Sequence, residues 1–220
     1  MKPHWEALTP KTRDAFHVCA QLPFIHNFYL AGGTGLALHF GHRFSVDLDF
    51  FTDRTESVDG KLRTQLKKRF RDPSLELIHD KDATFVAKWQ GVGISFFELY
   101  GQPLTKRPIK VEGILLAGLG DIGALKLSAI ISRATRKDLV DLYYILQSIS
   151  LDELFQIAAK KFPHTPSFPV TALLALGYFD DADKLPMPQM IDKTTWTQMK
   201  KFLRQQAIDG GRRNFERFWS

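Results

Sequence analysis

The run RFSVDLDF, Arg43 to Phe50, alternates polar and apolar residues without a break. Arg43, Ser45, Asp47 and Asp49 fall on one side, while Phe44, Val46, Leu48 and Phe50 fall on the other. That is the period of a strand with one face in a core, and it predicts a strand from Arg43 to Phe51. Two carboxylates side by side on the same face repel each other and cost desolvation energy, so a fold that keeps them usually supplies a cation. Hard oxygen ligands suit magnesium first and manganese second. Just upstream, AGGTG gives a small-residue turn whose main-chain N–H groups approach an anion closely, and the Thr34 hydroxyl adds a donor. Read alone, the glycine pair is equally a tight turn with no ligand.

The surrounding composition sets the class. The chain has 220 residues, 44% hydrophobic and 25% charged, which is ordinary for a globular protein with a real core. The formal net charge of +6 favours an acidic partner such as a nucleotide or nucleic acid. The single cysteine, Cys19, lies in an apolar helical pattern and excludes a disulfide within the chain. No apolar run approaches the roughly 20 residues of a membrane span, and MKPHWEALTPKTR lacks the apolar core of a signal peptide, so the expectation is a cytoplasmic protein.

Thr9 followed by Pro10 starts a helix running to about Leu22. Phe24 to Ala31 reads as a strand, Leu36 to Phe40 as a short helix, and Asp59 to Phe70 as a basic amphipathic helix. Leu75 to Ile78, Ala83 to Trp89 and Val92 to Leu99 read as three strands of a meander. After Pro108 the pattern turns helical almost throughout, with Asp121 as a candidate cap. Thr135 with Asp138, and Ser150 with Glu153, have capping-box spacing. Thr194 to Ile208 is the last amphipathic helix, before the tail GGRRNFERFW, whose Arg212, Arg213 and Arg217 either stack on RNA with the aromatics or anchor the tail. The domains expected are 1–115, an α/β unit, and 116–220, a helical unit.

Later polar residues join the argument. Lys126 sits in the apolar helix ALKLSAII, where its amine either snorkels or meets an anion. Arg43 either pairs with a carboxylate or clamps a phosphate. Asp138 and Asp141 are three apart on one helix, hence on one side, flanked by Arg133 and Lys137. His39 and His42 have no metal-ligand spacing with other histidines or with cysteine.

Taken in order, Gly32-Gly33-Thr34, then Arg43-x-Ser45-x-Asp47-Leu48-Asp49, then Lys126, then Arg133, Lys137, Asp138 and Asp141 resemble the AbiEii/AbiGii toxin-type nucleotidyltransferases, within the DNA polymerase beta-like superfamily. The resemblance spans about residues 24 to 150. It implies an α+β fold, a polymerase beta-like mixed sheet with flanking helices followed by a C-terminal helical lobe. It implies a magnesium-dependent transfer of a nucleoside monophosphate from a nucleoside triphosphate to an acceptor hydroxyl, with tRNA or another RNA as acceptor. Asp47 and Asp49 would bind metal. Gly32, Gly33, Thr34, Arg43, Ser45, Lys126, Arg133 and Lys137 would surround the nucleotide, Asp141 would activate the acceptor, and Asp138 would cap its helix or support the site. The biological setting implied is a toxin paired with a cognate antitoxin in phage defence. One departure stands out: where related enzymes often carry a third carboxylate on a later strand, this chain has Ser95, and nearby Glu98 falls on the opposite face of a regular strand. That departure motivates the alternative of a catalytically degenerate fold that binds nucleotide or RNA.

Overall fold

The sheet is built around the strand that the alternation picks out. The computed structural model describes residues 1–55, 57–70 and 75–219, with side chains described as far as Arg213, so Arg217 and the aromatic side chains of the tail lie outside the described residues. The chain divides into two compact units, Met1–Gly118 and Leu119–Ser220.

In the first unit, helix α1 (Pro10–Ala20) opens on Thr9, whose hydroxyl accepts from the Thr12 N–H at 3.2 Å. Strand β1 (Tyr29–Leu30) is followed by α2 (Gly32–Phe40), β2 (Asp47–Thr52), α3 (Gly60–Arg69), β3 (Leu75–Lys81), β4 (Thr84–Trp89), β5 (Val92–Glu98), β6 (Ile109–Val111) and β7 (Ile114–Leu116). The seven strands form one mixed sheet in the order β3-β4-β5-β2-β1-β7-β6. At its centre β2 runs parallel to β5 and antiparallel to β1. Leu48 and Phe50 of β2 are fully buried with Ile94 and Phe96 of β5, against α1 and α3. Phe50 stacks on Phe96 with ring centroids 4.9 Å apart, and Phe28 meets Phe96 edge-on at 5.1 Å.

Several expectations are corrected here. The expected strand from Phe24 shrinks to two residues after a 3-10 turn at Ile25–Asn27. The glycine turn is not a loop before a helix, since Gly32-Gly33-Thr34 is itself the first turn of α2. Regular strand begins only at Asp47. Before it the expected faces are inverted, with Arg43 and Ser45 at 5% and 6% exposure while Val46 is 48% exposed. The cause is local, because Ser45 bridges to Leu8 and donates its N–H to the Ala7 carbonyl at 3.0 Å. The chain after Pro108 is not yet helical: β6 and β7 form a hairpin whose two turn residues, Glu112 and Gly113, have φ of 44° and 95°, the signature of a type I′ turn.

The second unit consists of α4 (Leu119–Arg133), α5 (Arg136–Ile145), α6 (Leu151–Lys161), α7 (Phe168–Gly177), α8 (Asp180–Asp183) and α9 (Trp196–Trp219). Helix α4 packs against α5, α6 and α7, and α9 against α5, α6 and α7. Ser150 caps α6 by accepting from the Glu153 N–H at 3.1 Å. Asp121 is not a cap. It lies in the first turn of α4 and receives the Lys161 ammonium at 3.1 Å, both side chains being almost completely buried. Among the described residues no helix is long and apolar enough to cross a membrane.

Candidate active site

Asp47 and Asp49 share the face of β2 opposite the core, Asp47 exposed and Asp49 half-buried. In register across β5 stand Gly93 beside Asp47 and Ser95 beside Asp49. The absence of side chain at Gly93 is what admits Asp47, for a Cβ there would lie 2.5 Å from Asp47 Oδ1. Sequence reasoning missed Gly93, although a glycine within a strand is a signal of close approach. Gly93→Ala is therefore expected to displace the Asp47 carboxylate and lower catalytic turnover by about tenfold or more while leaving the fold intact. Circular dichroism alongside a turnover assay checks it.

Gly32 meets Asp49 in the same way. Its φ of +60° is left-handed, and a Cβ would sit 2.6 Å from Asp49 Oδ2. The N–H groups of Gly32, Gly33 and Thr34 belong to the first turn of α2, where the helix geometry leaves them without intrahelical acceptors and concentrates positive potential. Ala31 ties this turn to β2, its N–H bonding to the Asp49 carbonyl at 3.0 Å. Arg43 and Ser45 lie beneath it: a Cβ at Gly33 would collide with the Arg43 guanidinium and fall 3.3 Å from Ser45 Oγ. Arg43 also donates to the Phe44 carbonyl at 2.9 Å. The Thr34 hydroxyl, expected as a phosphate donor, is 1% exposed, donates to the Asp47 carbonyl and lies 2.8 Å from Ser45 Oγ. Its side chain fixes the height of β2 against α2, and its main-chain N–H is the group left for an anion.

The residues present fit a divalent cation. Two carboxylates, each set close against a glycine that leaves room for it, project on one face beside a helix N-terminus. Among the described residues no group of three or more potential ligand side chains assembles, so the remaining oxygens would come from phosphate and water. Ser95, 7% exposed, occupies the position beside Asp49, and Glu98 is engaged elsewhere, accepting from the Val58 N–H at 2.6 Å.

The helical unit holds a second polar cluster. Lys126 on α4, 5% exposed, donates to Asp138 Oδ1 at 2.8 Å and reaches Asp141 Oδ2 at 2.6 Å. Both carboxylates on α5 are fully buried. Arg133 adds Nε to Asp138 Oδ2 at 2.9 Å and an Nη2 bond to Oδ1 at 3.2 Å, and the Thr135 hydroxyl donates to Oδ2 at 2.5 Å. The expected capping box is therefore not made: the Thr135 side chain caps no backbone N–H and serves the Asp138 carboxylate. Ala134, with φ of +40°, turns the chain back sharply enough for α5 to present both acids to Lys126. Lys137 is exposed and Arg133 keeps a 57% exposed side chain.

Burial opposes ionisation of Asp138, but Lys126, Arg133 and Thr135 together outweigh it and hold the carboxyl down to about 2. With its folded value below the ordinary carboxylate value, Asp138 adds stability that is complete above about pH 4 and is lost as pH falls towards 2. The expected loss is on the order of 2 kcal/mol by linkage. Urea denaturation of wild type and Asp138→Asn at pH 7 and pH 3 checks it, the gap between them narrowing at the lower pH.

A seven-stranded mixed sheet followed by a helical unit has counterparts among solved structures. An H. pylori crystal structure provisionally assigned as a nucleotidyltransferase aligns with a TM-score of 0.54 at 17% identity, over 93% of this chain and 96% of its own. MenT4, the nucleotidyltransferase toxin Rv2826c of Mycobacterium tuberculosis H37Rv, aligns with a TM-score of 0.53 at 16% identity, over 90% of this chain and 84% of its own. The fold is that of the nucleotidyltransferases.

Residues 16–118 and 94–220 match the model of the nucleotidyl transferase AbiEii toxin of type IV toxin–antitoxin systems, and the chain belongs to that family. Uncharacterized protein aq_aa25 of Aquifex aeolicus (strain VF5) is 31% identical over 205 residues, spanning 91% of this chain and 96% of that relative.

Proposed function

We propose that this nucleotidyltransferase moves a nucleoside monophosphate from a nucleoside triphosphate to a hydroxyl of RNA, tRNA included, in the cytoplasm. Its setting would be the toxin half of a phage-defence pair with a cognate antitoxin. The observation that carries the reading is the pair Asp47 and Asp49 on one strand face, each admitted by a glycine, beside the open N-terminus of α2. Asp47 and Asp49 would hold magnesium or manganese, which when bound neutralises phosphate charge and acidifies an attacking hydroxyl.

The chain's own residues do the rest. The N–H groups of Gly32, Gly33 and Thr34 bind phosphate oxygens through the helix N-terminus, and Arg43 adds a fixed positive charge beneath Gly33. Ser45 and Thr34 hold that turn against β2. In the helical unit Lys126 is held buried between Asp138 and Asp141, so its ammonium braces α4 against α5 rather than reaching a triphosphate, while Arg133 and Lys137 are the exposed cations beside that cluster. The acceptor oxygen forms a bond to the α-phosphorus, the bond from that phosphorus to the bridging oxygen breaks, and pyrophosphate leaves with its electron pair. The hydroxyl proton passes to water, because Asp141, expected as its acceptor, is fully buried and ion-paired with Lys126.

Ser95 beside Asp49 favours one competing reading, a degenerate fold that binds nucleotide without transferring it. Mass spectrometry of bulk tRNA after incubation with the protein, magnesium and the four nucleoside triphosphates separates the two. A mass increment of one or more nucleotides supports transfer to RNA. Unaltered RNA together with measurable nucleotide binding supports the degenerate fold.

A further inference from the structure

Helix α9 buries Met199 and Leu203 and presents Thr197, Lys200, Lys201, Arg204, Gln205 and Ile208 along a shallow groove of about 400 Å³. Between Trp196 and Arg213 this helix carries five basic residues and a single acidic one, Asp209. Three of the cations are matched locally: Lys200 lies 2.9 Å from Asp183, Arg213 2.8 Å from Asp152, and Arg212 4.0 Å from Asp209. Lys201 and Arg204, both exposed, have no carboxylate within 4.0 Å among the described residues. The Arg204 guanidinium rests over the Phe179 ring, 5.4 Å from its centroid, which steadies the side chain without cancelling its charge.

We infer that this face of α9 is a docking surface for the phosphate backbone of RNA, an inference that rests on the transfer to RNA proposed above. Unmatched cations within one helical turn, flanked by a threonine hydroxyl and a glutamine amide, are the donor types that contact phosphate and sugar oxygens. The chemistry is wrong for a membrane surface, because a helix lying in a bilayer interface needs its apolar face free. Here that face is buried at Met199 and Leu203, and Ile208, at 44%, is the one exposed large hydrophobe of the groove. The Trp196 ring, with Arg136 and Lys200 held over it at 5.2 and 5.7 Å, adds an aromatic with cations already in place beside the groove.

The test is fluorescence anisotropy of fluorescein-labelled bulk tRNA with the full chain, titrated at several salt concentrations. It compares wild type, Lys201→Gln/Arg204→Gln, and Lys110→Gln on exposed β6 as the control. The double variant is expected to bind about tenfold or more weakly, and to lower the slope of log affinity against log salt by about 1.4 to 1.8, whereas the control matches wild type. Equal affinity and slope in the double variant, or an equal loss in the control, overturns the surface. So does binding to phosphatidylserine vesicles with none to RNA. The two readings fail separately. A wild-type chain that transfers nucleotide to another acceptor and binds no RNA loses the docking surface and keeps the chemistry. One that binds RNA through Lys201 and Arg204 yet moves no nucleotide keeps the surface and loses the transfer.

Discussion

Asp47→Asn is expected to lower nucleotidyl transfer by about a thousandfold or more with no change in thermal stability. The substitution keeps the shape of the side chain and removes only its charge. Asp47 is exposed, so no buried charge or packing is disturbed, and its main-chain carbonyl still accepts from Thr34. What is lost is one of the two carboxylates proposed to hold the cation, and among the described residues no group of three or more potential ligand side chains assembles to replace it. Asp49→Asn should behave alike, with a small additional cost in stability because Asp49 is half-buried. Transfer measured per mole of folded enzyme, beside a thermal melt, checks both. Retention of more than a tenth of wild-type turnover by Asp47→Asn would remove Asp47 from the chemistry.

Lys126→Met should act chiefly on stability. Its ammonium sits between two carboxylates that have no exposed surface, and removing the cation leaves Asp141 and part of Asp138 buried without that partner. Breaking a buried pair from one side costs about 3–5 kcal/mol. Asp138 keeps Arg133 and Thr135, so most of the damage should fall on Asp141. Adding Asp141→Asn to Lys126→Met is therefore expected to recover about half of the loss, and urea denaturation of the single and double variants measures that coupling. Additive losses would mean that the two side chains do not depend on each other.

The same clusters explain how much was legible in the amino-acid order. The alternation at Asp47 to Phe50 sets the strand and the shared face of both acids, because a half-buried strand enforces that period. It overreaches at Arg43 to Val46, where the Ser45 contacts to Ala7 and Leu8 come from residues almost forty positions earlier and no local period reports them. The β6–β7 hairpin hides in an apolar run because its turn is Glu112-Gly113 rather than the stronger Asn-Gly or Asp-Gly signal. Asp138 and Asp141 read correctly as neighbours on one helix. Their meeting with Lys126 depends on a left-handed turn at Ala134, a conformation an alanine does not advertise. Gly93 was readable as a glycine in a strand, but its meaning required the register that places it beside Asp47.

Parallel incubations with nucleoside triphosphate labelled at the α- or the γ-phosphate distinguish transfer of a nucleotidyl group from transfer of a phosphoryl group. The α label is expected to become bound to RNA while the γ label is recovered in pyrophosphate. Label from the γ-phosphate on the acceptor, or no label from either position with nucleotide bound, would contradict nucleotidyl transfer.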